Sequence, residues 1–216
     1  MTRRSYTKLD ALRFVLTLAG GTLLAGAAFA HPHVFVTSRM VIEFKDGALK
    51  DLRHAWTFDE TYATSAIEGL DTNKDGNYDR EELKALAQVN VDGLKEFGYF
   101  TFATAGGDPL EFGVPENYWL EYANNLLTLH FSLPLAKPID AKGKALKFTV
   151  QDETYFIAFE FEKADAVKLS GNTPSACRIV PPAAAQETAS QKLSDAFSAQ
   201  LGAPGGEAVN TVDVQC

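Results

Sequence analysis

Residues Asp71 to Glu82 read DTNKDGNYDREE and place oxygen-bearing side chains at loop positions 1, 3, 5, 9 and 12, with Gly76 at position 6. That is the spacing of an EF-hand calcium loop. Calcium is a hard cation that takes about six to eight oxygens. Asp71, Asn73, Asp75, the Asn77 carbonyl, Asp79 or a water it holds, and a bidentate Glu82 would supply them. Gly76 permits the positive φ that the loop needs to wrap. Two departures temper the match: position 8 is Tyr78 where an aliphatic residue is usual, and the chain has no second loop to pair with the first. An unpaired hand suits a structural or weak site, about 10⁻⁴ to 10⁻³ M, better than a switch.

A second set of metal-binding side chains depends on processing. The first thirty residues carry Arg3, Arg4, Lys8 and Arg13, a Leu/Ala/Gly-rich stretch from Phe14, and Ala28-Phe29-Ala30, a small-x-small cleavage site. This is the pattern of an export signal. General secretion is the expected route, although Arg3-Arg4 also admits the twin-arginine one. Cleavage after Ala30 makes His31 the new N-terminus, so an amine and the rings of His31 and His33 fall within three residues. Pro32 has no N–H, which blocks the square-planar chelate built on backbone amides. A chelate through the amine and the His31 ring, a histidine brace, stays open. Imidazole suits Zn²⁺, Ni²⁺, Co²⁺ and copper.

The elements that must position these groups can be read from periodicity. Ala63, Ala66, Ile67 and Leu70 before the loop, and Leu83, Leu86, Ala87, Val91 and Leu94 after it, recur at helical spacing. The spacing predicts helix, loop, helix over residues 60–97. Upstream, Val34, Val36, Met40, Ile42 and Phe44 alternate with His33, Phe35, Thr37, Arg39 and Glu43, as a half-buried strand does. Leu52, His54, Trp56 and Phe58 form one face of a second strand. A three-residue loop with Gly47 in a left-handed bulge position would align the two apolar faces and set His33 opposite Asp59. Asp59 then joins His31 and His33 as a ligand or as a carboxylate that orients a ring. His54, on the apolar face, is expected to be a hydrogen-bonded core histidine. His130, on the polar face of Leu127–Leu133, is either plain surface or a remote ligand.

Strands are expected at Tyr99–Thr104, Leu110–Val114, Tyr118–Tyr122, Leu126–Leu133, Ala145–Gln151 and Tyr155–Phe161, the last apolar enough to be central. The fold class is α+β, mainly β. It is an antiparallel, sandwich-like domain over residues 31–180 with the EF-hand-like insertion, followed by a Pro/Ala-rich tail, 181–216. Leu193, Ala196, Phe197 and Leu201 mark a helix in that tail.

The chain has 216 residues, with 20 Lys+Arg against 28 Asp+Glu. Loss of residues 1–30 removes four bases and one acid, leaving 16 against 27, a charge near −11. Such a field repels nucleic acid and favours cations. No segment outside the leader approaches the length of apolar chain that spans a bilayer. Cys177 and Cys216, in a chain marked for an oxidising compartment, are expected to form a disulfide. No G-x-S-x-G, phosphate-cradling glycine loop or activated cysteine is present, so no enzyme class is indicated.

The segments His31-Pro32-His33-Val34, Trp56-Thr57-Phe58-Asp59-Glu60, Asp71 to Glu82, Gly98-Tyr99-Phe100-Thr101, Leu129-His130-Phe131, Leu133-Pro134-Leu135 and Thr154-Tyr155-Phe156-Ile157-Ala158-Phe159 together resemble the exported family of domain of unknown function 1007. The resemblance implies a periplasmic component of a transport system and an inner-membrane partner of the nickel/cobalt transporter type, and it assigns no ligands. The expected function is that of a non-catalytic, periplasmic metal-binding accessory protein with a structural calcium site. The rivals are a copper protein built on a histidine brace, either an oxidative enzyme or a carrier, and a calcium-stabilised interaction domain.

Overall fold

The computed structural model describes residues 32–162, 165–180 and 210–216. The leader, His31 and the tail helix at residues 193–201 lie outside the described residues.

Eleven strands form two sheets among the described residues. β1 (Val34–Lys45), β2 (Ala48–Phe58), β5 (Glu116–Ala123), β6 (Leu126–Asp140), β8 (Ile157–Phe161) and β9 (Val167–Gly171) make the larger one, ordered β5-β6-β2-β1-β8, with β9 also on β1. β10 (Arg178–Val180), β11 (Thr211–Gln215), β7 (Ala145–Val150), β3 (Thr101–Ala105) and β4 (Asp108–Pro109) make the second, in that order. Inward residues of both sheets belong to one core, in which Met40, Ile42, Leu52 and Trp56 join Ala103, Phe148 and Val214. The mainly-β reading therefore holds. Pairing is antiparallel except where β8 and β9 run parallel to β1.

Two expectations are corrected. The segment 155–161 is not central: β8 lies at a sheet edge, and Tyr155 and Phe156 are exposed while Phe159 and Phe161 turn inward. Leu110–Val114 is not a strand and makes only a Phe112–Leu135 bridge.

The β1–β2 connection also differs from the expected three-residue loop. Lys45 faces Ala48 across a two-residue turn in which Asp46 (φ 53°) and Gly47 (φ 79°) are both left-handed. This is the hairpin turn whose twist matches the strands. By itself it would set the apolar faces on opposite sides. The register shift does the realigning: Phe44 faces Leu49 but Glu43 faces Asp51, so Lys50 is an extra residue. A bulge of one residue moves every later side chain to the other face. Ile42 then meets Leu52, and Val36 meets Phe58.

The helical insertion lies between β2 and β3, as expected. Helix α1 (Glu60–Ala66) is capped by Asp59, and helix α2 (Arg80–Leu94) by Asp79. Helix α2 buries Leu83, Ala87 and Val91, one residue per turn, and packs on β5. A 3₁₀ segment, Lys95–Phe100, leads into β3. Among the described residues no helix is long and apolar enough to cross a membrane.

The chain end is tied in as anticipated. Cys177 and Cys216 form a disulfide. β11, which ends one residue before Cys216, sits between β10 and β7.

Candidate metal centres

The loop between α1 and α2 is held by its own carboxylates. Asp71 accepts from the Asp75 amide at 3.2 Å and, through Oδ2, from the Gly76 amide at 3.1 Å. Asn73 Oδ1 accepts from the Asp75 amide at 2.8 Å, and Asp75 Oδ1 from the Asn77 amide at 2.7 Å. Gly76 has φ +81°, so a residue with a Cβ would be strained there. These turns, each made by a short polar side chain bonding the backbone just ahead, wind the segment into a tight loop.

Asp79 and Glu82 form a capping box. Asp79 Oδ1 accepts from the Glu81 and Glu82 amides at 2.8 and 3.0 Å, and Glu82 Oε2 accepts from the Asp79 amide at 3.2 Å. The other oxygen of Glu82 reaches back across the loop. It accepts from the Thr72 amide at 2.8 Å, the Thr72 hydroxyl at 2.9 Å and the Asn73 amide at 3.2 Å. The Thr72 hydroxyl bond first, with those amides, holds the Glu82 carboxyl below its usual range.

The donor set fits a hard cation: four carboxylates, an amide oxygen and a backbone carbonyl lie within one twelve-residue loop. The side chains are nevertheless turned onto amides. Among the described residues no three His, Cys, Asp or Glu side chains converge as a metal cluster. Three donors on Glu82 Oε1 exceed its two lone pairs, so bidentate coordination would require the Thr72 contacts to break. Thr72 was not singled out by the sequence reasoning; its signal is the hydroxyl at the second loop position, one residue after Asp71.

His33 lies just before β1. Its amide donates to the Phe156 carbonyl at 2.8 Å, and its ring stacks on Phe156 with centroids 5.0 Å apart and planes 14° off parallel. Phe156 is in turn set by Asp152, a 7 % exposed carboxylate. Asp152 accepts from the amides of Thr154, Phe156 and Ile157 and from the Thr154 hydroxyl, at 2.7–3.1 Å. Burial opposes the charge of Asp152, but the Thr154 hydroxyl and the amides outweigh it and lower its pKa. This residue also escaped the sequence reasoning, although Asp152-x-Thr154 is a recognisable side-chain turn.

Asp59 does not stand opposite His33. The Lys50 bulge moves the register, so Asp59 faces Phe35: its amide donates to the Phe35 carbonyl at 2.9 Å, and its Oδ2 accepts from the Phe35 amide at 2.9 Å. Oδ1 caps α1 through the Tyr62 amide at 3.0 Å. Both oxygens of the expected ligand are thus engaged by backbone.

The remaining histidines sit elsewhere. His54 is 3 % exposed, stacked on Phe131 and edge-on to Trp56. It is a core residue as expected, but neither ring nitrogen has a hydrogen-bond partner, and burial lowers its pKa to about 3. His130 lies on the outer face of the larger sheet, in register with Ala55, which pairs with Arg39. Arg39 is six residues along β1 from His33, roughly 20 Å. His130 therefore does not complete a site around His33.

A family model described as protein of unknown function (DUF1007) matches residues 16–216. The chain is also 33% identical over 99 residues to an uncharacterized 15.5 kDa protein in the trpE 3′ region of Spirochaeta aurantia, an alignment covering 46% of this chain and 70% of that protein. The protein belongs to the DUF1007 family.

Proposed function

We propose that this protein is an exported, non-catalytic accessory protein that captures or hands over a transition metal, with calcium in the Asp71–Glu82 loop bracing the fold. The observation that carries the reading is the loop itself. A complete set of calcium-type oxygen donors is bracketed by two helices, with Gly76 left-handed at the sixth position and Glu82 at the third residue of the exit helix. To hold calcium, the Glu82 carboxylate would leave Thr72 and supply its two oxygens to the ion. Transition-metal capture uses His33, fixed on Phe156 at the start of β1, together with the amine and ring of His31 after cleavage behind Ala30. Asp59 supports this end of β1 from the backbone rather than ligating the ion. Zn²⁺, Ni²⁺, Co²⁺ and copper all suit imidazole and amine nitrogen. The strongly acidic mature chain favours cations near its surface. An inner-membrane metal transporter is the corresponding partner, and the periplasm the compartment.

Calorimetric titration of calcium, with the melting temperature followed in parallel, tests the brace. Calcium should bind in the range of about 10⁻⁴ to 10⁻³ M and raise the melting temperature, and Glu82→Gln should weaken both effects. Identical melting in calcium and in chelator would remove the structural role.

A second reading, a calcium-stabilised interaction domain, is favoured by a separate feature. Val89, Phe97 and Phe156 expose apolar side chains along a groove between α2 and the start of β8. Histidines that bind no metal in solution would favour it.

A further inference from the structure

The outer face of the larger sheet carries a cleft that the metal reading does not use. Arg39, Ala55, His130 and Trp119 stand side by side on β1, β2, β6 and β5. Neighbouring strands are about 4.8 Å apart, so Arg39 and His130 are separated by roughly 10 Å with only a methyl group between them. The gap over Ala55 opens into a cleft of about 480 Å³. That is the size of a small-molecule site.

One wall is stiff. Trp119 lies flat on His130, with centroids 4.6 Å apart and planes 7° off parallel, and the Arg80 guanidinium also lies over the Trp119 ring, 4.7 Å from its centroid. The His130 ring is half-buried, and burial first of all lowers its pKa, so it is neutral near pH 7. Its Nε2 lies 3.3 Å from Glu121 Oε2 without a well-directed hydrogen bond.

The polar lining is rich in donors. Arg39, Arg53 and Lys168 bring three cations, and Asp165 brings one carboxylate. Counting Glu162 and Glu43, the partners of the two arginines, the cleft is close to neutral, against 16 bases and 27 acids beyond residue 30 of the chain. Neighbouring acids are already engaged: Glu162 binds Arg39 through Nε and Nη2, and Glu43 binds Arg53 Nε at 3.0 Å. A guanidinium has five N–H groups, so Arg39 Nη1 and both Arg53 Nη atoms keep donors to offer. Lys168 has no ion pair among the described residues.

Donors left over on Arg39, Arg53 and Lys168 favour a ligand rich in acceptors. Arginine forks match carboxylates two bonds at a time. Lys168 pairs with Val41, and Val41 with Arg53, so the two cations are two strands, roughly 10 Å, apart. Two cations rooted on separate strands offer two seats, which a ligand with two or more carboxylates can fill together. We infer that this cleft binds a small organic di- or tricarboxylate, seated over Ala55 with its carboxylates on Arg53 and Lys168 and its carbon skeleton against the Trp119–His130 wall.

The test is a titration of the full chain with tricarballylate, a tricarboxylate of citrate size, followed by calorimetry and by tryptophan fluorescence, to which Trp56 and Trp119 both contribute. Acetate and inorganic phosphate serve as comparison ligands. The expected result is a Kd below about 1 mM for tricarballylate, at least tenfold weaker binding of acetate and phosphate, and a tenfold or greater loss in both Ala55→Leu and Arg53→Gln. Ala55→Leu fills the gap without altering charge, and Arg53→Gln alters an exposed residue, so one reports if the other fails to fold. The titration is run in calcium-free buffer, so its outcome does not depend on calcium in the Asp71–Glu82 loop, which keeps this inference separate from the calcium reading. No binding at 10 mM (about tenfold above the expected limit), equal affinity for phosphate, or unchanged affinity in a folded cleft variant would each overturn it.

Discussion

The carboxylate of Asp59 joins two elements: one oxygen accepts from the Phe35 amide at 2.9 Å and the other from the Tyr62 amide at 3.0 Å. It locks the start of β1 to the start of α1. Burial works against its charge, yet the bonds from Phe35, Tyr62 and Thr61 prevail and lower its pKa. A carboxyl depressed in the fold adds stability that is complete above its ordinary range and is lost as pH falls through the folded value. Asp59→Ala should cost about 1–2 kcal/mol in denaturant unfolding, the scale of a lost helix cap, and should flatten the acid limb of the stability curve. Metal affinity at the histidines should change little; a large loss would restore Asp59 as a ligand.

His54 gives the fold a second, separable pH dependence. Its folded pKa is about 3 against an ordinary 6.5, because burial disfavours the charged ring. Between these values the unfolded chain takes up a proton that the native state does not. Stability should therefore fall as pH drops below about 6.5, by up to roughly 1.4 kcal/mol per pH unit. The depressed carboxylates, Asp59, Asp152 and Glu82, act mainly below about pH 5, and His130, whose pKa burial also lowers, shares the window above it, so the slope from about pH 5 to 6.5 belongs to the two histidines. His54→Leu removes two unpartnered nitrogens from the core and should reduce that slope; an undiminished slope would assign it to His130 or elsewhere.

These two residues show how far the sequence was legible. Alternation along β1 and β2, the strands expected at Tyr118–Tyr122 and Leu126–Leu133, and the helical spacing of apolar residues on both sides of the acidic loop are local patterns, and each formed. The register was not local. The Asp46-Gly47 turn and the extra residue at Lys50 trade off against each other, and either a bulge or a longer loop aligns the same faces. Only tertiary packing chooses between them, and the choice moved Asp59 from His33 to Phe35. β9 was missed because Val167–Gly171 is short and half-exposed. The Trp119 wall was missed because it joins residues from β5, β6 and α2.

Gly171 is a packing constraint at the end of β9. Its φ is +79°, and a Cβ there would lie 2.0 Å from the Phe44 carbonyl oxygen, a backbone atom of β1. Gly171→Ala should destabilise the protein by roughly 3 kcal/mol. Thermal unfolding checks this, and a change below about 0.5 kcal/mol would contradict the close approach.

The disulfide closes a sequence separation of 39 residues and anchors β11. By loop entropy it should contribute about 3–4 kcal/mol. In the reduced protein, or in Cys177→Ser, amide exchange should accelerate first in β10, β11 and the β7 edge. Uniform acceleration across both sheets would mean that the chain end is not an independently released unit.

The proposal that the protein handles transition metal meets its most direct test in a calorimetric titration of nickel, zinc and copper. The comparison is between protein whose first residue is confirmed as His31 and protein extended by one residue. A coordinating amine predicts a loss of at least tenfold in affinity on extension, with the fold and the calcium response intact. Equal affinity in the two forms, or none in either, would contradict the account.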